Sequence, residues 1–137
     1  MICQKEIILR PMSRGFHLIT SEIIGNLPAL PHTGILNIFT KHTSCGLSIN
    51  ENCDPDVRHD METIFNQMVP EGYHGYHHTL EGSDDMPAHA KSAISGVSLT
   101  IPIINGRLGL GTWQGVYFNE YRNHGGSRHI VLTIIGE

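Results

Sequence analysis

Asn105-Gly106 stands between two β-rich runs, Val97 to Ile104 and Arg107 to Leu110. Asparagine and glycine satisfy the two positive-φ positions of a type I′ turn, so this segment is expected to fold back on itself as an antiparallel hairpin. Further short β-rich runs recur along the chain. Ile7 to Leu9 and Phe16 to Ile19 flank Pro11, Ser13 and Gly15 and predict two short strands joined by a turn. Gly34 to Thr40, Leu47 to Asn50, Thr112 to Tyr121 and His129 to Ile135 add four more, the last two around the turn Asn123-His124-Gly125-Gly126-Ser127.

Helical signals are fewer. Asp54-Pro55 provides an N-cap acid and a proline at the first helical position. Val57, Met61, Ile64, Phe65 and Met68 then recur at helical spacing up to Pro70, a stripe expected to join the core, with Arg58 and His59 on the opposite, solvated face. A second helix should begin near Asp85 to Pro87 and stop before Gly96, which places His89 in its first or second turn. Thr20 or Ser21 should cap a brief helical turn from Glu22 to Leu27. The sum is an α+β fold, a compact single domain over residues 1–137, largely antiparallel sheet with two main helices and no repeat.

Thirteen acids against nine bases give a net charge of -4, without the basic footprint of a nucleic-acid binder. No apolar run approaches the roughly 18 residues that span a membrane. Cys3, Cys45 and Cys53 make an odd count with no secretory leader, which points to a reducing cytoplasm. Ten histidines are many for 137 residues. Protonating all of them would carry the formal charge from -4 to +6, so solubility and binding should respond to mild acid.

The segment Tyr76 to His89 concentrates imidazoles and carboxylates in a glycine-punctuated loop. These are ligand types for a divalent metal, and loops are where a rigid scaffold holds its chemistry. His42, His78 and His89 would supply three ligands and leave a position open for water or substrate; the other reading is three scattered, hydrogen-bonded histidines. There is no His-Glu-x-x-His and no Cys-x-x-Cys to decide it. Glu81, Asp84 and Asp85 either orient the imidazoles or complete the coordination, or are acids at a helix N-terminus.

Other constellations are weaker. Cys45 lies three residues after His42, but on a strand such residues face opposite ways, and free cysteine is often a small buried hydrophobe. Ser44 suits a hydroxyl donor to a bound oxyanion better than a nucleophile. Gly109 to Gly115 has its third glycine one residue late for a dinucleotide loop, and no helix follows. Trp113 and Gln114 there offer a stacking face and an amide to a heteroaromatic ring, or else Trp113 is core. Arg122 and Arg128 bracket the Gly-Gly turn, where guanidinium groups and backbone amides would receive phosphate.

Several blocks together resemble the YjbQ family, called secondary thiamine-phosphate synthase, over nearly the whole chain. They are Arg14-Gly15-Phe16-His17, His42-Thr43-Ser44, Asn50 to Pro55, Glu81-Gly82, Asp84 to Pro87, Gly111-Thr112-Trp113-Gln114-Gly115 and Ile135-Gly136-Glu137. The resemblance implies a sandwich-like α+β domain that assembles as a homotrimer. It implies a divalent metal, zinc first among the candidates, on His42, His78 and His89. Glu120 matches a recurrent family acid, and Cys45 stands where relatives often carry a small residue such as alanine. Thr79 and Leu80 depart from the more polar or aromatic choices of relatives.

What the resemblance implies for function is a weak thiamine-phosphate synthase activity, joining hydroxymethylpyrimidine diphosphate to thiazole phosphate with loss of pyrophosphate. Such chemistry needs a cation and donors for the leaving diphosphate, and a flat surface for the pyrimidine. The expected assignments are His78 and Glu120 as catalytic groups, and Ser44, Arg128, Trp113 and Gln114 around a phosphorylated heteroaromatic substrate. Two alternatives stand beside it: a metal-dependent hydrolase of a phosphorylated small molecule, and a non-catalytic trimeric protein that binds metal or metabolite.

Overall fold

In the computed structural model, which describes all 137 residues, the strands sort into two fully antiparallel sheets. β1 (Ile2–Leu9), β3 (Thr33–Thr40), β5 (Ser98–Ile104), β6 (Arg107–Leu108) and β8 (Arg128–Gly136) form the larger, in the order β1-β8-β3-β5-β6. β2 (Gly15–Leu18), β4 (Cys45–Glu51) and β7 (Gln114–Glu120) form the smaller, in the order β2-β7-β4. Helix α1 (Thr20–Gly25) is short; α2 (Pro55–Met68) and α3 (Asp85–Ser95) are the two main helices. The α+β architecture expected from the sequence is therefore present, and no helix is long and apolar enough to cross a membrane.

The hairpin forms at the expected turn, with Asn105 and Gly106 at φ 51° and 78° linking β5 to β6, but its second arm ends at Leu108 rather than Leu110. The first two strands do not pair with each other. β1 extends back to Ile2 because β8 pairs with it throughout, from Ile2 opposite Ile135 to Leu9 opposite Arg128, whereas β2 crosses to the smaller sheet and pairs with β7. Helix α1 starts earlier than its polar residues suggested. Neither Thr20 nor Ser21 caps it; Thr20 Oγ1 instead accepts the Val116 backbone N–H at 2.9 Å, tying α1 to β7.

Helix α2 begins as predicted, with Asp54 accepting the Asp56 backbone N–H. Its stripe joins the core only in part. Phe65 is buried, Val57 and Met61 are half-buried, and Ile64 and Met68 remain 47% and 56% exposed. Contact runs through Phe65, which packs edge-on to Phe16 and stacks on Tyr121, so the flank carrying Ile64 and Met68 reaches nothing. Arg58, expected on the solvated face, is half-buried, while His59 is exposed as anticipated.

Every residue of β7 from Gly115 to Glu120 is buried, and successive side chains face opposite layers. Val116 and Phe118 face the larger sheet, where they meet Leu36, Ile38, Ile101, Leu132 and other apolar residues of the main core. Tyr117 and, just past the strand, Tyr121 face the helices and form a second cluster with Phe16, Phe65 and Ala88. The period-two geometry of a strand thus serves two hydrophobic layers at once.

Glu120, on the sheet side of β7, is fully buried and bonds the first residue of β8 through two contacts, Arg128 Nε at 2.8 Å and Nη2 at 2.5 Å. Removing one partner of such a pair generally costs about 3–5 kcal/mol, because the other charge is left buried alone. Gly125 is required by this pair: a Cβ there would lie 2.5 Å from the Glu120 carboxylate.

The second cluster yields a test. The Tyr121 hydroxyl is buried without a hydrogen-bond partner. Burial pushes this phenol up to about 12, against opposing contributions from Ser95 and Asn119. An unfolded tyrosine ionises near pH ~10, so stability from the neutral phenol is complete below that value and drains as pH rises towards about 12. Tyr121→Phe should hold or raise neutral-pH stability by up to about 1 kcal/mol and flatten the alkaline loss. Urea titrations at pH 7 and in the alkaline range measure both; a clear loss at pH 7 would mean the hydroxyl is satisfied.

Candidate metal centre

Asp85 opens α3 and His89 follows four residues later, which sets both on one helical face. The Asp85 carboxylate is 2% exposed. Its Oδ1 accepts Arg122 Nη1 at 2.5 Å, and its Oδ2 lies 2.7 Å from His78 Nε2 and 3.0 Å from His89 Nε2. His78 comes from the irregular stretch between α2 and α3. Arg122, just beyond β7, fastens that stretch to the sheet: Nη2 donates to the Glu81 carbonyl at 2.9 Å and Nε to Asp84 Oδ2 at 3.0 Å.

Proton accounting at His89 shows what this arrangement wants. His89 Nδ1 is 2.7 Å from the Thr43 carbonyl oxygen, which can only accept, so Nδ1 carries the hydrogen. A neutral His89 then points a bare Nε2 lone pair at a carboxylate oxygen. Two lone pairs face each other unless a cation, either a proton or a metal ion, lies between them.

The donor set fits a divalent metal. His78, Asp85 and His89 each aim one ligand atom into a space where all three lie within 4.8 Å of one another. Imidazole nitrogen and carboxylate oxygen are the donors that zinc and its neighbours accept. The Thr43 carbonyl behind His89 and Arg122 behind Asp85 provide the outer support that fixes ligand orientation at such sites. Glu81 Oε2, 3.6 Å from His78 Nε2, stands at the rim.

The local field keeps the carboxylates ionised. Burial alone would push Asp85 up, but the His78 hydrogen bond and the His89 and Arg122 charges together hold it below the usual range. Asp84 is likewise lowered against its own burial, by the Asn123 backbone N–H and by Arg122.

A cavity opens on each side of the cluster. On the His89 side lies one of about 830 Å³, walled by Phe39, Lys41, His42, Thr43 and Ser92. On the His78 side lies one of about 280 Å³, walled by Tyr73, Tyr76, Thr79, Ser83 and Met86.

The residues singled out from the sequence scatter relative to this centre. His78 and His89 come together, but the third group is Asp85 rather than His42. His42 Nε2 accepts the His129 backbone N–H at 2.8 Å, so that lone pair is taken and Nδ1 carries the hydrogen. Burial first, then Arg128 and His129, lowers the His42 pKa, which favours this neutral form.

Glu120 and Arg128 are locked to each other, and the Ser44 backbone carbonyl accepts Arg128 Nη2 at 3.3 Å, so both charged side chains are committed within the fold. Trp113 is 62% exposed and Gln114 starts β7, at the far end of about 20 Å of strand from the cluster. Their block is tied down by Asn52, whose amide donates to the Thr112 and Gln114 carbonyls. Cys45 is buried, and burial raises its thiol pKa, as expected for a packing residue. Arg122 stands out in the sequence only as a bracket of the Gly-Gly turn, and Thr43 only as part of the His42-Thr43-Ser44 block, because a guanidinium fork and a backbone carbonyl carry no spacing signal.

A family profile described as UPF0047 protein YjbQ-like matches residues 5–137. The UPF0047 protein YjbQ of Escherichia coli O157:H7 is 50% identical over 136 residues, covering 98% of this chain and 98% of that protein. The protein of the same name from Salmonella typhimurium is 52% identical with the same coverage. Among solved structures, a conserved hypothetical protein of Thermus thermophilus is similar with a TM-score of 0.81 and 33% identity, over 93% of this chain and 97% of that one. A YbjQ-like protein of unknown function from Sulfolobus solfataricus shares the fold with a TM-score of 0.86 at 23% identity, over 100% of this chain and 99% of that one.

The tautomers are open to direct measurement. Long-range ¹H–¹⁵N correlation spectra at neutral pH should show His42 as the Nδ1–H form, its Nε2 shifted by an accepted amide proton. An Nε2–H pattern at His42 would break this assignment and make Nδ1 the nitrogen with a free lone pair.

Proposed function

The chain belongs to the UPF0047 YjbQ-like family, and on that footing we propose that it is a divalent-metal-dependent enzyme acting on a phosphorylated heteroaromatic small molecule. Thiamine-phosphate synthase chemistry is the reaction of choice, and zinc the first candidate ion. The observation that carries the reading is the convergence of the His78, Asp85 and His89 ligand atoms, with the His89 proton committed to Thr43.

A divalent ion held there supplies charge neutralisation for a departing diphosphate. The chain's own groups do the rest. His42 presents Nδ1–H as its remaining donor on the wall of the larger cavity, beside Lys41 and the Thr43 side chain, a surface suited to phosphate oxygens. In the transfer itself the thiazole nitrogen bonds the pyrimidine methylene carbon, and the electrons of the broken C–O bond leave with pyrophosphate. Asp85, held by Arg122 through Oδ1, keeps Oδ2 as the third donor beside the His78 and His89 nitrogens.

Partial exposure of the His78 and His89 side chains, 42% and 31%, supports an open site in which a substrate or a hydrolytic water reaches the ion. The non-catalytic reading draws on Glu81, close enough to His78 to complete a closed shell.

The same proposal includes a homotrimer in a reducing cytoplasm. The outer face of the larger sheet carries no helix, and a row of Pro102, Ile35, Ile135 and Ile2 runs across adjacent strands. Ile2, Ile35 and Ile135 are 80%, 42% and 50% exposed there, an apolar stripe that a second copy would cover. All three cysteines are free thiols, in keeping with that compartment.

Two measurements test these statements. Elemental analysis of untagged protein should find about one zinc per chain, lost at least tenfold in His78→Ala and Asp85→Ala but kept in Trp113→Ala. Pyrophosphate release from the paired substrates should fall in the same two variants, and release of orthophosphate instead would favour the hydrolase. Equal zinc content in wild type and both variants would overturn the site. For the assembly, sedimentation should give a trimer that Ile35→Lys dissociates; a monomeric wild type removes it.

A further inference from the structure

Tyr73, Tyr76 and Met86 wall the smaller cavity on the His78 side of the cluster and have no part in holding the ion or the phosphate. Their placement is built rather than incidental. Tyr76 is fixed by its hydroxyl, which donates to the Pro70 carbonyl at 2.8 Å. Tyr73 packs edge-to-face on Tyr76, with ring centroids 5.2 Å apart and an interplanar angle of 75°. Gly75 then makes room for it: a Cβ at that position would collide with Tyr73 Cε1 and lie 2.7 Å from Cζ. Gly75 has no positive φ, so the close approach of the ring is the reason a side chain cannot stand there.

Tyr73 is nonetheless 53% exposed. His74 also lies against it, tilted by 49° at a centroid distance of 5.1 Å, and a large aromatic ring held by two neighbours and a glycine, yet left half open beside a 280 Å³ hollow, has surface to spare for stacking. The hollow suits a flat ring. Tyr73 offers a π-face, Met86 a polarisable thioether that pairs well with ring edges, and Thr79 a hydroxyl for a ring nitrogen, while the Ser83 hydroxyl donates to Glu71 Oε2 at 3.4 Å.

We propose that Tyr73, Tyr76 and Met86 form the subsite that binds the planar heteroaromatic ring of the substrate, stacked on Tyr73 with its reactive substituent directed past His78. This replaces Trp113, which lies at the far end of β7. The direction of the substituent rests on the proposed cation site; the stacking does not. The two cavities then divide the substrate's chemistry, ring on the His78 side and phosphate on the His89 side, with the ligand cluster between them.

The test uses 2-aminopyrimidine as the probe and 1,4-dioxane as a saturated ring of similar size, each followed by NMR titration against the full-length protein with and without added zinc. The wild-type protein should bind 2-aminopyrimidine and not dioxane. Stacking on one aromatic side chain is strong enough that Tyr73→Leu should weaken the probe about tenfold or more. Gly75→Ala should weaken it in the same direction, Tyr73→Phe should retain it, and Trp113→Leu should leave it unchanged. Tyr73 is exposed enough that its replacement leaves the core intact, and an unchanged zinc content in Tyr73→Leu confirms the fold around the cluster.

No binding of 2-aminopyrimidine to the wild type, equal binding by Tyr73→Leu, or loss of binding in Trp113→Leu each overturns the subsite. Ring binding by a protein that takes up no zinc sinks the cation site and leaves this proposal standing; zinc uptake without ring binding does the reverse.

Discussion

The buried bond between Glu120 and Arg128 joins the two sheets at the end that carries the His78, Asp85 and His89 cluster, and the placement of that cluster depends on it. Glu120 ends β7 and Arg128 begins β8, so one ion pair fixes both ends of the Tyr121 to Ser127 connection. Glu120 Oε1 also accepts the Arg122 backbone N–H at 3.1 Å, which aims the Arg122 guanidinium at α3. Arg122 then occupies Asp85 Oδ1 and leaves Oδ2 for the two imidazoles. An isolated buried pair is weak evidence of stability. Its value here lies in geometry, since a chain of directed bonds runs from the sandwich interior to the ligand atoms.

What the sequence revealed was local. The Asn105-Gly106 turn, the Asp54 cap and the start of α3 each depend on residues within a few positions, and each forms as expected. His78 and His89 were legible as candidate metal ligands because imidazoles and carboxylates crowd one glycine-punctuated segment, Tyr76 to His89. Asp85 was ambiguous, since a carboxylate opening a helix has a sufficient reason to be there. The rest depends on distant pairing. Nothing near Ile7 or Phe16 says that one strand joins β8 and the next β7. Nothing near His42 says that its Nε2 meets the amide of residue 129. Glu120 stands out as a match to a family acid and Arg128 as a bracket of the Gly-Gly turn, and neither signal says that the two side chains bond each other in the interior.

The Gly111 to Gly115 block illustrates the same ambiguity. Gln114 Oε1 accepts the Gly111 backbone N–H, the Asn52 amide donates to the carbonyls of residues 112 and 114, and Glu51 Oε2 accepts the backbone N–H groups of Cys53 and Asp54 ahead of α2. Two distinctive stretches, Asn50 to Pro55 and Gly111 to Gly115, are thus halves of one knot that closes the end of the smaller sheet away from His78. A distinctive motif can mark the hardest place to fold rather than the place where a ligand binds.

The double-sided burial of β7 restricts how this architecture can change over time. Each successive residue of that strand answers to a different layer, so deleting or inserting a single residue would send phenols toward the aliphatic interior and aliphatic groups toward the aromatic one, disrupting both together. Length variation among descendants of this scaffold is therefore confined to its connections, and the strand itself is open to exchange of side chains but closed to any change in count.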